Sequence, residues 1–415
     1  MIQGKIKLPG DKSISHRAAL FSALREGESH FTNFNLNNDC KATLSCLEKL
    51  GIEHKKRGTN LTIFGKSFDK WQKPNAALDA QNSGTTARLL SGLLAALPFD
   101  TKLVGDSSLS NRPMDRVVKP LQKMGARIDT TLGCLPLTFT RKVPLQGIAY
   151  TTPMASAQVK SAILLAGLYA EGKTKVTENS ITRDHTERML SLNSEITDKQ
   201  KHIESSSLNS IPDLSMEIPG DFSSAAFFIC AALAIPGSSL RISRVSLNPT
   251  RIGLINVLKE MGAQLEFNIE QEKPEPIGTI DVSASKLQNL NISKKIIPNI
   301  IDEIPILAVL ATQAHGDLVL RNAEELRYKE SDRINTIVQN LRKLDVEVDE
   351  FKDGFNISGP QKLGPGTIET HGDHRIAMAF SIANQFTNSH IEIDDPECAA
   401  VSFPGFYKTL DSIVK

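Results

Sequence analysis

"DKSISHRAALFSALREGESHFTN", residues 11–33, decides the fold, because its pattern returns five more times. A small or polar start runs into an Ala/Leu-rich helical stretch and leaves through a polar turn into a β-branched one. The other copies are "NSGTTARLLSGLLAALPFDTKLVG" (82–105), "MASAQVKSAILLAGLYAEGKTKVTE" (154–178), "GDFSSAAFFICAALAIPGSSLRIS" (220–243), "IDEIPILAVLATQAHGDLVLRN" (301–322) and "GDHRIAMAFSIANQFTNSHIEI" (372–393). The starts recur about every 70 residues, which is too long for a solenoid repeat and points to six small α/β units. These helical runs have no polar face, so burial nearly all round is expected.

Most units continue into a second helix that ends in a tight turn before a further strand. Examples are "NRPMDRVVKPLQKMGARID" (111–129), "NPTRIGLINVLKEMGAQLE" (248–266) and "ESDRINTIVQNLRKLDVEVD" (330–349). Gly125 and Gly262 suit left-handed helix ends. A length of 415 residues exceeds one ordinary core. Three units can bury their apolar helices together beneath sheets, which gives an α/β (α+β) chain of two lobes. The polar stretch "NSEITDKQKHIESSSLNSIPDLSMEIPGD" (193–221) marks the boundary. The lobes are expected at residues 10–219 and at 1–9 with 220–415.

Lys plus Arg number 48 against 47 for Asp plus Glu, a net charge of +1. That balance argues against a nucleic-acid binder, which needs a basic excess or stripe. The five cysteines (Cys40, Cys46, Cys134, Cys230, Cys398) are odd in number and lack CxxC spacing. Neither a disulfide framework nor a zinc site is suggested, and a reducing cytoplasm fits. The start "MIQGKIKLPG" lacks a signal-peptide core, and no apolar run reaches the ~20 residues needed to span a bilayer. No Walker loop, GxGxxG fingerprint or nucleophile elbow is present.

Cations occupy the helix starts. Lys12, Arg17, Lys160 and Arg375 all fall within about a turn of one. There a positive charge is worse than a negative one by about 0.3–1 kcal/mol, because the unpaired N–H groups are themselves positive. Repeated at equivalent points, this reads as a local rule broken for function, since helix starts plus cations make an anion receptor. Structural readings compete at each position. Ser13, Ser15, Ser156 and Asp373 suit helix caps, His374 suits a solvated surface, and Asp302 before Pro305 suits a cap and first turn. Asp302 at the mouth of an apolar helix also suits a base with a tunable pKa. Lys329 and Arg333, four apart, would share a helix face. They read either as a mixed-charge surface with Glu330 and Asp332 or as a pair bridged by an anion. Arg112 in "SNRPMDR" is a further anion contact to consider.

Ten motifs in order, "LPGDKSISHRA", "NSGTTARLL", "NRPMDRV", "SAQVKSAILLA", "TRDHTERML", "GDFSSAAFF", "NPTRIG", "DEIPILAVLA", "ELRYKESDRI" and "GDHRIAMAF", resemble those of the EPSP synthase (3-phosphoshikimate 1-carboxyvinyltransferase) family. The resemblance implies two domains of three βαβαββ units with an active site in the cleft between them, and ligands assigned to both halves of the chain predict that this cleft closes on binding. It implies transfer of the enolpyruvyl group of phosphoenolpyruvate to the 5-hydroxyl of 3-phosphoshikimate, with release of phosphate, in the shikimate pathway of aromatic amino acid biosynthesis. It implies no metal or organic cofactor, while the charge balance, short apolar runs and cysteine usage predict a cytoplasmic protein without a nucleic-acid or membrane partner, expected as a monomer. By motif, 3-phosphoshikimate falls to Lys12, Ser13, Arg17, Ser156, the backbone of Ala157, Gln158, Arg183, Asp302 and Lys329. Phosphoenolpyruvate falls to Lys12, Gly84, Arg112, Gln158, Arg333 and Arg375. Asp302, Lys329 and Glu330 are the candidates for proton transfer, and room beside Gly84 implies inhibition by glyphosate.

Three positions depart from the common pattern. Ala157 replaces a serine, Glu325 stands where many members have Asn, and Val401 replaces a lysine expected near phosphoenolpyruvate. The sister family, UDP-N-acetylglucosamine enolpyruvyl transferase, has Asn beside the early lysine and a cysteine before the Arg-Pro motif. Ser13 and the cysteine-free "VGDSSLSNRP" argue against it. One Trp and four Tyr offer little to stack RNA bases.

Overall fold

The computed structural model describes residues 1–140 and 144–415, which form two compact units. The first unit is residues 10–218 with 273–275, and the second is residues 1–9, 219–272 and 276–415. Each holds three core helices: α1 (Lys12–Ser22), α2 (Gly84–Leu94) and α3 (Ala157–Gly167) in the first, then α4 (Phe222–Ala234), α5 (Ile304–Ala311) and α6 (His374–Ala383) in the second. Every residue of α5 and α6 is buried. Burying one such aliphatic or aromatic side chain stabilises a fold by about 1.5–3 kcal/mol, which is why helices without a polar face gather at the centre.

The sheets repeat one connection. Leu78–Asp79 lies parallel to Thr101–Val104, which pairs antiparallel with Cys134–Thr140, and that strand pairs with Arg127–Thr131. Ala149–Thr151, Lys173–Glu178, Gln200–Ser206 and Ser194–Thr197 follow the same order. In two units the leading strand comes from a distant part of the chain. Met216–Glu217 lies parallel to Gly27–Thr32, and Gln3–Lys7 lies parallel to Ser239–Ser246. The polar stretch 193–221 is therefore not a linker. Most of it is the hairpin Ser194–Thr197/Gln200–Ser206 and the short strand Met216–Glu217.

The sixth unit departs from the expected βαβαββ order. Its sheet is only Gly366–Ile368 parallel to Ile391–Ile393, followed by a 3₁₀ turn at Pro396–Val401 and a helix at Phe406–Ile413. Pro396 and Pro404 interrupt this stretch, and a proline cannot donate to a strand ladder. Gly125 (φ +100°) and Gly262 (φ +96°) take the left-handed conformation that ends the second helices. Asp345 does the same at the matching position of the fifth unit (φ +61°). Among the described residues no two cysteines form a disulfide. Burial pushes Cys46 and Cys398 up to about 12, so both stay protonated at neutral pH.

The core of the first unit also carries a histidine. His16 is fully buried in α1, its Nδ1 is 2.7 Å from Thr43 Oγ1, and its Nε2 has no hydrogen-bond partner among the described residues. Thr43 continues to Thr86 (2.7 Å), and Thr86 donates to Ser83, the cap of α2 (2.7 Å). Burial, aided by Lys12 and Arg17 against Asp39, lowers the His16 pKa to about 3. An unfolded histidine takes up a proton near pH 6.5, while the folded one resists until about pH 3. This term is thus fully stabilising above pH 6.5 and is lost as the pH falls through that window, with a slope of up to about 1.4 kcal/mol per pH unit. Denaturant midpoints measured from pH 7 to pH 4 should fall more steeply for the natural protein than for His16→Gln. Equal slopes would contradict this account.

Candidate active site

In the first unit the three helix starts carry the expected groups. Asp11 caps α1 through the Ile14 N–H (2.9 Å), leaving Ser13 beyond the cap. Ser15 is buried and accepts from the Asn35 N–H. Lys12 is the first residue of α1, and its Nζ lies 3.0 Å from Asp39 Oδ2. Ser83, rather than Gly84, caps α2, so Gly84 opens the helix. Ser156 caps α3, and the first-turn N–H groups at Ala157 and Gln158 have no intrahelical partner.

These starts lie close together. Gln158 accepts from Arg88 (2.7 Å) and donates to Thr85 (3.0 Å), which ties the first turn of α3 to α2. A Cβ added at Gly84 would sit 2.9 Å from Arg88 Nη1 and 3.7 Å from Arg112 Nη1. Arg112 is held by Asn82 Oδ1 (2.7 Å).

Arg17 is 3% exposed, and among the described residues its guanidinium hydrogen-bonds to neutral oxygens alone: Thr186 Oγ1 at 2.8 Å, Ser161 Oγ at 2.9 Å and the Ser13 carbonyl at 3.1 Å. Burial lowers its pKa to about 10, and Arg183 is near enough to add repulsion. Arg17 therefore remains charged at neutral pH. A buried charge with no directly paired carboxylate is costly until an anion arrives.

Lys160, expected among the anion-binding cations, has another role. It is 0% exposed and sits between Glu178 and Glu187, each at 2.8 Å. These carboxylates outweigh the effect of burial and raise its pKa. Glu187 also meets Lys201 at 3.1 Å, so Lys160 anchors a closed internal network.

The second unit gathers the other set. Asp302 precedes α5 without capping it. Its carboxylate lies 3.7 Å from Lys329, 3.4 Å from Arg333 and 3.9 Å from Arg375. Arg375 also donates to the Asp302 carbonyl (2.9 Å). Lys329 and Arg333 do not share a helix face, because a 3₁₀ turn ends at Tyr328 and a new helix begins at Arg333. They meet at Asp302 instead. Arg333 is 1% exposed and is further held by Asp373 (2.8 Å) and Glu330 (2.6 Å). Burial lowers the Lys329 pKa despite Asp302. For Arg333, burial is outweighed by Asp373, Glu330 and Asp302, and its pKa rises. Burial works against ionised Asp373, yet Arg333 holds that carboxyl below its usual range. Asp373 also caps α6 through the Arg375 N–H (3.0 Å). His374 is buried in α6 rather than solvated.

Sequence reasoning missed Arg88, Ser161 and Thr186 as the groups that orient Gln158 and Arg17. Arg88 follows Gly84 by four residues on α2, a spacing that could have signalled it. Among the described residues, no cluster of His, Cys, Asp and Glu is arranged to hold a metal, and no helix is long and apolar enough to cross a membrane.

The architecture is that of the enolpyruvyl transferases: the Streptomyces tendae enolpyruvyl transferase NikO superposes with a TM-score of 0.77 over 99% of this chain and 95% of that one, at 14% identity, a likeness of fold alone. The chain belongs to the family described as EPSP synthase (3-phosphoshikimate 1-carboxyvinyltransferase), which its residues 1–410 match. The 3-phosphoshikimate 1-carboxyvinyltransferase of Bacillus cytotoxicus is 46% identical, covering 99% of this chain and 98% of the relative. That of Bacillus subtilis is 44% identical over 100% and 98%. A solved EPSP synthase of Acinetobacter baumannii has a TM-score of 0.88 at 41% identity, covering 99% of this chain and 96% of that one.

Proposed function

We propose that this chain transfers the enolpyruvyl (1-carboxyvinyl) group of phosphoenolpyruvate to the 5-hydroxyl of 3-phosphoshikimate, giving 5-enolpyruvylshikimate 3-phosphate and phosphate in aromatic amino acid biosynthesis. Family membership supports the reaction, and the observation that carries the site is Arg17, a buried cation whose hydrogen bonds among the described residues all go to neutral oxygens. Both substrates carry a phosphate and a carboxylate, and they repel each other unless fixed cations and N–H donors receive them.

On this reading 3-phosphoshikimate takes Lys12, Ser13, Arg17, Ser156, the Ala157 N–H, Gln158 and Arg183, with Asp302 and Lys329 at its hydroxyl. Phosphoenolpyruvate takes Lys12, the start of α2 at Gly84, Arg112, Gln158, Arg333 and Arg375. Arg333 and Arg375 already touch Asp302. An arriving carboxylate shares those cations, and Asp302 becomes a stronger base as their hold weakens. Asp302 then removes the 5-hydroxyl proton while that oxygen bonds to the substituted carbon of phosphoenolpyruvate. The methylene carbon gains a proton, for which Lys329 and Glu330 are the candidates, Lys329 with a pKa lowered by burial. Loss of a methyl proton and of phosphate restores the double bond.

The test is release of inorganic phosphate that requires both substrates together. Release from phosphoenolpyruvate alone, or none with both present, would defeat the proposal. Glyphosate, a small anion that meets no side chain at Gly84, is expected to slow that release at about millimolar levels. Val401, half-buried in the turn Pro396–Val401, supplies no cation to help hold it. An unchanged rate at such concentrations would count against the placement of Gly84.

A further inference from the structure

We infer that Arg88 is a positioning residue that decides which end of the Gln158 amide faces the substrates' anions; this rests on the assignment of Gln158 as a ligand. Arg88 Nη1 is 2.7 Å from Gln158 Oε1, and Gln158 Nε2 is 3.0 Å from Thr85 Oγ1. The oxygen and nitrogen of a side-chain amide are nearly alike in size, so hydrogen-bonding neighbours choose the orientation. A guanidinium has donors only, so the atom facing Arg88 has to be the oxygen. The NH2 then turns to Thr85, whose hydroxyl accepts one hydrogen. The second N–H has no protein partner among the described residues and can be offered to a phosphate or carboxylate. In the flipped orientation, donor would face donor at Arg88 and the carbonyl oxygen would face the anion, so both contacts would be repulsive.

The same geometry gives Gly84 a second reason to be glycine. Arg88 lies one turn further along α2, and a Cβ at Gly84 would come within 2.9 Å of its Nη1. A side chain there would press on the group that orients Gln158 as well as fill space beside the substrate.

The experiment compares Arg88→Met, Arg88→Gln, Arg88→Lys, Gln158→Met and the double variant Arg88→Met/Gln158→Met. The readouts are phosphate release, giving kcat and both KM values, and melting temperature as a check on folding. Gln158→Met should raise KM for the two substrates by about tenfold to a hundredfold, the range for hydrogen bonds to charged groups. Arg88→Met should raise the same KM values by a similar factor with kcat changed less. Arg88→Gln, which can donate or accept and so permits both orientations, should fall between it and the natural protein. Arg88→Lys keeps a donor-only cation and should restore most of the affinity. Because Arg88 acts through Gln158, the double variant should be no worse than Gln158→Met alone. Losses that multiply in the double variant, or unchanged KM values in folded Arg88→Met or Arg88→Gln beside a damaged Gln158→Met, would overturn the inference. Unchanged KM values in Gln158→Met would instead remove Gln158 as a ligand, and Arg88's role with it.

Discussion

Asp302→Asn is expected to lower kcat by about 10²–10⁴-fold, the usual worth of a positioned general base, with a much smaller change in either KM. The substitution keeps the size of the side chain and removes its ability to hold a proton. Three cations stand within 4 Å of this carboxylate: Lys329, Arg333 and Arg375. Losing the negative charge should not weaken the seats for substrate anions, because it takes away a carboxylate that competes with them for all three cations. The predominant loss therefore belongs to the chemical step. Steady-state phosphate release gives the split between kcat and KM, and a melting curve shows that the fold persists. A kcat within about threefold of the natural protein would show that another group removes the proton.

The six-fold plan was legible in the sequence because its central helices are apolar all round. A helix packed on every side needs no polar face, and six runs of that kind stand out against amphipathic second helices such as Arg333–Lys343. The truncated sixth unit was harder to see, since helix and strand endings at Pro396 and Pro404 depend on what packs beside them. Helix-start cations were also legible, but their purposes were not. Lys12 and Lys160 break the same electrostatic rule, yet Lys160 finds its carboxylates 18 and 27 residues further on and is sealed inside. Sequence spacing contains no trace of that pairing. Lys329 and Arg333, four apart, suggested a common helix face. They converge on Asp302 only because the 3₁₀ turn ends just before Lys329 and the next helix begins at Arg333. Neutral residues were the least visible part. Ser161 and Thr186 hold Arg17 from positions 144 and 169 residues away, and nothing in a serine or threonine announces such a partner.

In the first unit, Lys12→Met should cost about 2–5 kcal/mol of transition-state binding, the range for removing one member of a partly buried charge pair. That corresponds to a fall in kcat/KM of roughly 30-fold to several thousand-fold, seen with either substrate varied because Lys12 is assigned to both. The fold should persist at a somewhat lower melting temperature, because Asp39 loses its partner while relief at the helix dipole returns only about 0.3–1 kcal/mol. The side chain is 17% exposed and that of Asp39 13%, so the carboxylate left behind would be poorly solvated and would itself repel the substrates. Lys12→Met/Asp39→Asn separates the two contributions. If Lys12 binds the anions directly, neutralising Asp39 recovers no more than about tenfold of the loss. If Lys12 serves only to mask Asp39, the double variant returns to nearly natural kinetics, and the lysine leaves both binding sets.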